Sequence, residues 1–183
     1  MASRKIAVIV GSLRKESVTR RVAKSIMLLA PPTVDMEIVE IGQLAMYNQD
    51  DDPSPPPTYL EFREKIRGFD AVLFCTPEYN RSVPGALKNA IDVGSRPYGQ
   101  SAWEGKPCAV ISVTPGGLGA FGANHHLRQS LVFLNMPVMQ QPEAYISNVA
   151  KLYDGDELTD EKTRTFLQGF AEAFAAWVER HAD

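Results

Sequence analysis

Lys5-Ile-Ala-Val-Ile-Val10, halted by Gly11-Ser-Leu-Arg14, is the stretch on which the reading of the fold turns. A β-branched run with no polar alternation suits a strand covered on both faces, as in a parallel sheet. Two further runs share this form. Asp70-Ala-Val-Leu-Phe-Cys-Thr76 ends at Pro77-Glu-Tyr-Asn80, and Cys108-Ala-Val-Ile-Ser-Val113 ends in a glycine-rich stretch.

Amphipathic segments separate these runs. Ser17–Ala30 places Val18, Val22, Ile26 and Leu29 at helical spacing and is closed by Pro31-Pro32. Met36–Ile41 alternates and reads as an edge-side strand. Gln43–Thr58, with Asp50-Asp51-Asp52 and four prolines, reads as a polar excursion without an element of its own. Tyr59–Arg67 reads as a short helix with Leu60, Phe62 and Ile66 inward. Helices are also predicted over Val83–Val93, with Pro84 in the first turn where a missing N–H is harmless, and over Asn124–Leu134. Pro137–Ile146 reads as a weaker fifth strand, and Thr159–Arg180 as a final helix carrying Phe166, Phe170, Phe174 and Trp177.

Strands alternating with helices predict an α/β domain over residues 1–183, a parallel sheet covered on both faces. Five strands suit the flavodoxin-like order 2-1-3-4-5, a doubly wound sheet. Ligands of such sheets sit beyond the carboxyl ends of the strands where strand order reverses, so the loops after strands one, three and four are where chemistry is expected.

Composition narrows the field. The 183 residues are 44% hydrophobic and 22% charged, ample for one core. The net charge of −3 gives no electrostatic reason for nucleic-acid binding. The apolar N-terminal run is too short for a signal-peptide core or a membrane span, so a cytoplasmic protein with no membrane partner is expected. The only two cysteines, Cys75 and Cys108, lie alone in apolar runs at opposite ends of neighbouring strands, too far apart to bridge. No metal site is expected: the three histidines, His125, His126 and His181, read as surface or capping residues, and the Asp50–Asp52 run lacks the glycine and distal glutamate of a calcium loop.

The first loop joins Ser12, Arg14, Ser17, Val18 and Thr19 at a helix start, where free N–H groups, hydroxyls and a guanidinium suit a phosphate. It lacks the Walker spacing. Ser17 reads equally as a plain helix cap, with Arg14 and Glu16 as solvated charges. The second loop, Pro77-Glu78-Tyr79-Asn80 through Ser82 to Pro84, offers an aromatic face and turn amides, though alone it reads as an ordinary turn. In the third, Gly117-Leu-Gly-Ala-Phe-Gly122 satisfies G-x-G-x-x-G, with Glu143 at the distance of a ribose ligand. Yet it follows the fourth strand rather than the first, and Pro137 and Pro142 interrupt the strand that would present Glu143. It reads as a glycine-rich wall beside a ligand. No nucleophile elbow or thiol pair is present, so no side chain stands out as catalytic.

Gly11-Ser-Leu-Arg14, Thr76-Pro-Glu-Tyr-Asn80, Ser82-Val-Pro-Gly85, Leu87-Lys-Asn-Ala-Ile-Asp92, Gly105-Lys-Pro107 and His126-Leu-Arg-Gln129 together resemble the NAD(P)H-dependent FMN reductase family, and within it the soluble bacterial quinone and chromate reductases. The resemblance runs over about residues 5–146. It implies non-covalent FMN, with NADPH or NADH as electron donor and a small-molecule acceptor: a quinone, chromate, or a nitro or azo compound. Ser12, Arg14, Ser17, Val18 and Thr19 would hold the FMN phosphate. Pro77, Glu78, Tyr79 and Asn80 would line the ring with Ser82 nearby, and Thr114, Pro115, Gly116 and Gly117 would close its other edge. Relatives resemble homodimers or homotetramers, with Tyr47, Tyr98 and Trp103 as candidate contacts to a second copy. Thr19, Val93 and Phe121-Gly122 depart from the family pattern, the last removing a cation beside the cofactor. A flavin reductase feeding a partner oxygenase, a flavodoxin-type carrier and a flavin-free nucleotide-binding domain remain as alternatives.

Overall fold

In the computed structural model, which describes residues 3–182, the N-terminal run forms β1 (Arg4–Val10) with its last five residues buried. Four more strands join it in one parallel sheet: β2 (Val34–Val39), β3 (Ala71–Thr76), β4 (Cys108–Val113) and β5 (Ala144–Ile146), in the order β2-β1-β3-β4-β5. That is the flavodoxin-like order. The crossovers are α1 (Val18–Leu29), α2 (Pro57–Arg67), α3 (Gly85–Gly94) and α4 (Phe121–Phe133). A two-stranded hairpin of β6 (Tyr153–Asp154) and β7 (Glu157–Leu158) precedes α5 (Glu161–His181).

The strict alternation of a strand divides the core. Ile6, Val8 and Val10, with Leu73, Cys75 and Ile111, face α1 and α5, where Phe170 and Phe174 fill the layer. Ala7, Ile9, Val72, Phe74, Cys108 and Val110 face α2, α3 and α4. Complete burial of side chains this size stabilises by roughly 1.5–3 kcal/mol each. Register pairs Val10 with Cys75 and Cys75 with Ile111, so three strand ends meet one edge and the loops beginning at Gly11, Pro77 and Thr114 rise side by side. Cys108 pairs with Val72, and the two cysteines lie on opposite faces, unbridged.

Several local expectations fail for identifiable reasons. Leu60 points outward, 52% exposed, because the inward position it would take is filled by Tyr59, Phe62, Arg63 and Ile66. Arg63, 2% exposed, stacks over the Tyr59 ring and donates from Nε to the Val93 carbonyl at 2.8 Å. It thereby places a positive charge at the end of α3, whose last turn has no basic residue of its own. Trp103 is fully buried, not a surface contact: its indole packs on Phe62 and Phe74 and donates to the Ile91 carbonyl.

The second strand begins two residues earlier than Met36, and α4 begins at Phe121, ahead of Asn124. Of Pro137–Ile146 only the last three residues form a strand, and the rest touches the sheet through a single Cys108–Val138 bridge. Residues 43–58 are tethered rather than loose. They contain one turn of 3-10 helix, and Tyr59 Oη and Asn89 Nδ2 both donate to backbone carbonyls at Ala45. Among the described residues no helix is long and apolar enough to cross a membrane, and no His, Cys, Asp and Glu cluster could hold a metal ion.

Candidate functional site

The N-terminus of α1 opens where β1 leaves the sheet. Ser17 is the N-cap, its Oγ accepting from the Arg20 N–H at 3.1 Å, so one of its two predicted roles is filled by the helix itself. Its own proton remains available to donate. No acidic residue stands in the first turn to neutralise the helix dipole. Arg20 is paired side-on with Glu40 at 2.7 Å, whereas Arg14 is exposed and has no ion pair among the described residues. Ser12, Ser17 and Thr19 are all buried, and the Thr19 hydroxyl, on a residue only 1% exposed, has no protein partner. A buried hydroxyl left without a partner costs about 1–3 kcal/mol. Unpartnered first-turn amides, a hydroxyl without a partner and an exposed arginine on the preceding loop are donor types that suit a phosphate.

Beside this cradle, Tyr79 is half exposed on a tight hairpin. Its N–H and carbonyl pair reciprocally with those of Ser82 at 3.0 Å, and the two residues of the turn, Asn80 and Arg81, are both left-handed with φ of 51° and 64°. Gly11, Leu13, Arg14, Tyr79, Pro84 and Ala86 line a shallow cleft of about 320 Å³. A larger cleft of about 620 Å³ lies between α3 and α4, off the loops that carry the free donors. Val18 is half-buried behind the cradle, and Pro77 is half-buried at the root of the hairpin.

The third loop shows why its glycines are there. Thr114 is half-buried and Pro115, Gly116 and Gly117 are exposed, as a wall beside a ligand requires. The carbonyls of Thr114, Gly116 and Gly117 accept from Val149, Asn148 and Ser147, and the N–H groups of Thr114 and Gly116 donate to the Ile146 carbonyl and to Thr114 Oγ1, so of these four residues Gly117 keeps an N–H without a partner among the described residues. Gly119 faces the protein instead: it is left-handed, and a Cβ there would lie 2.5 Å from that of Tyr145. The helix that a dinucleotide fingerprint would aim at a pyrophosphate is already capped, its Ala123 N–H donating to Glu78. The match to G-x-G-x-x-G is therefore a packing pattern.

Of the fourteen residues expected at the site, Arg14, Thr19 and the first-turn amides of α1 keep donors without a partner among the described residues, the third loop keeps the N–H of Gly117, and Tyr79 keeps an open ring face. Glu78 turns its carboxylate away, toward α4. Sequence reasoning missed His126, whose Nδ1 lies 3.0 Å from Ser82 Oγ. Nothing local signals that contact, since it is made by the approach of a helix 44 residues further on. Both thiols are fully buried and burial pushes them well above the ordinary range, so neither supplies a redox thiolate. An edge that offers donors and an aromatic face suits a phosphate-bearing planar heterocycle.

Known proteins resemble this chain over most of its length. A quinone reductase of Pseudomonas putida is 61% identical over 95% of this chain and 94% of its own. A 2-hydroxy-1,4-benzoquinone reductase of a Burkholderia species is 44% identical over 95% of this chain and 96% of its own. Among solved structures, the flavoenzyme NAD(P)H:(acceptor) oxidoreductase FerB of Paracoccus denitrificans superposes with a TM-score of 0.93 at 45% identity, covering 98% of this chain and 100% of its own. The profile of one family matches residues 4–151, a span that contains all three loops. With the loops, the sheet order and these relatives in accord, the chain belongs to the NADPH-dependent FMN reductase family.

Proposed function

We propose that this chain is an FMN-dependent NAD(P)H oxidoreductase that reduces quinones. The observation that carries this reading is the unpartnered Thr19 hydroxyl at the open α1 terminus, one loop away from the exposed ring of Tyr79. When bound, FMN supplies the redox chemistry, accepting a hydride from a nicotinamide and returning two electrons to an acceptor. Arg14, Thr19 and the amides of the first turn hold the phosphate. Tyr79 and the backbone of Pro77–Asn80 bound one edge of the ring, and the amides beyond Thr114 bound the other. The cleft is open on one side, so donor and acceptor occupy the same face in turn.

Chromate and nitro or azo compounds are further acceptors consistent with a face that makes few specific demands. A homodimer or homotetramer would cover the outer side of α4, where Val132 and Phe133 are 69% and 84% exposed. Two unbridged thiols suit a reducing, cytoplasmic setting.

Loaded with FMN under anaerobic conditions, the protein is expected to lose the visible absorption of the flavin on addition of NADPH or NADH, and to regain it with a quinone. A chain that takes up no FMN, or whose flavin neither nicotinamide reduces, overturns the reading. Release of flavin on reduction would make it a supplier of reduced FMN instead. In the flavin-free protein, Thr19→Val is expected to raise stability by about 1 kcal/mol, because it removes a buried hydroxyl that has no partner. The same substitution weakens FMN. Thermal unfolding and flavin titration check the two opposite signs together.

A further inference from the structure

The N-terminus of α4 is capped from outside its own segment. Ala120, at the N-cap, is left-handed and has no side chain able to reach the first-turn amides. The Ala123 N–H donates instead to Glu78 Oε2 at 3.1 Å, across 45 residues of sequence. The other oxygen, Oε1, lies 3.4 Å from Arg81 Nη1, closing the carboxylate between helix and hairpin. Only 13% of the Glu78 side chain is exposed. At Gly122 helix and hairpin touch directly, since a Cβ there would lie 2.7 Å from the Arg81 carbonyl oxygen and 3.0 Å from Glu78 Oε2. Ser82 Oγ and His126 Nδ1, 3.0 Å apart, make a second attachment one turn along α4.

The hairpin needs this support. Asn80 and Arg81 both occupy the left-handed region, which costs a non-glycine residue roughly 1 kcal/mol or more. Among the described residues two backbone hydrogen bonds, both between Tyr79 and Ser82, close the turn from within. Its alignment is therefore set by what it docks against.

We propose that Glu78 is a positioning residue: its carboxylate latches the Tyr79 hairpin to the N-terminus of α4 and so fixes the ring of Tyr79 over the cleft. This rests on the reading of Tyr79 as a wall of the flavin site. It also separates two helix termini that open on the same edge of the sheet. That of α4 is neutralised by a carboxylate of the protein, leaving that of α1 to receive the anion of a ligand.

Two substitutions test the latch. Glu78→Gln keeps a neutral oxygen for the Ala123 N–H, whereas Glu78→Ala keeps none. In the flavin-free chain, Glu78→Ala is expected to speed hydrogen exchange of the Tyr79, Ser82 and Ala123 amides by about fivefold to tenfold, the size of a lost cap. The amides of β3 and β4 stay protected. FMN and riboflavin should then weaken by the same factor, because the ring and not the phosphate has lost its support, and Glu78→Gln should restore both readouts to within about threefold.

Unchanged exchange in Glu78→Ala overturns the latch. So does a Gln variant as impaired as the Ala variant in both readouts, since the oxygen kept for the Ala123 N–H would then hold nothing in place. If exchange responds as expected while the unsubstituted chain binds no flavin, the latch stands and the flavin reading falls.

Discussion

Gly119→Ala is expected to destabilise the protein by about 3 kcal/mol, a fall in Tm of roughly 10 °C for a chain of this size. Two costs add. Residue 119 has φ of 60°, where an L side chain loses roughly 1–2 kcal/mol. The new methyl would also lie 2.5 Å from Tyr145 Cβ and 3.2 Å from the Tyr145 backbone, atoms of a strand that cannot swing aside as a side-chain tip can. Nor can the loop back away freely, because the Gly119 carbonyl accepts from Ser112 Oγ at 2.6 Å, and that hydroxyl in turn accepts from the buried Asn124. Gly119→Asn separates the contributions, since asparagine tolerates the left-handed region yet carries the same Cβ. It should recover less than half of the loss. Thermal unfolding of the flavin-free variants measures this, and flavin titration should show weaker binding as Thr114–Gly117 is displaced. A Tm within a degree or two of the unsubstituted chain would remove the packing explanation of the glycine pattern.

Arg14→Ala should leave the fold intact and weaken FMN by about 10- to 100-fold, the range for losing charge-assisted hydrogen bonds to a phosphate. The side chain is exposed and has no ion pair among the described residues, so its removal disturbs the fold little. Riboflavin has the same ring without the phosphate, and its affinity should not change. The difference between the two ligands should shrink as ionic strength rises, because an exposed guanidinium is screened. Titration of both at low and high salt gives the answer. Equal weakening of riboflavin would move Arg14 from the phosphate to the ring.

The strands were legible because burial on both faces leaves a bare signature: Ile6–Val10, Ala71–Cys75 and Cys108–Val113 contain almost nothing that a solvent-facing strand would need. The α1 terminus that we propose as a phosphate site has a local signature too, a helix start with hydroxyls and an exposed arginine. Leu60 misled because hydrophobic spacing ranks leucine above arginine, whereas here the long apolar stem of Arg63 fills the inward position and its guanidinium finds the Val93 carbonyl. Trp103 misled because its neighbours in sequence are polar, yet the loop folds the indole between Phe62 and Phe74. The Glu78–Ala123 and Ser82–His126 contacts had no sequence signal at all. They exist because β3 and β4 are neighbours in the sheet and the segment after each reaches the other.

The placement of the two thiols has a bearing on what the protein can survive. A quinone is an electrophile as well as an oxidant, and a thiolate adds to its ring as readily as to any Michael acceptor. Cys75 and Cys108 lie wholly inside the sheet, one under each helical layer, with their protons held tightly by burial. No other cysteine exists in the chain. A chain built this way offers a reactive acceptor no accessible thiol to alkylate.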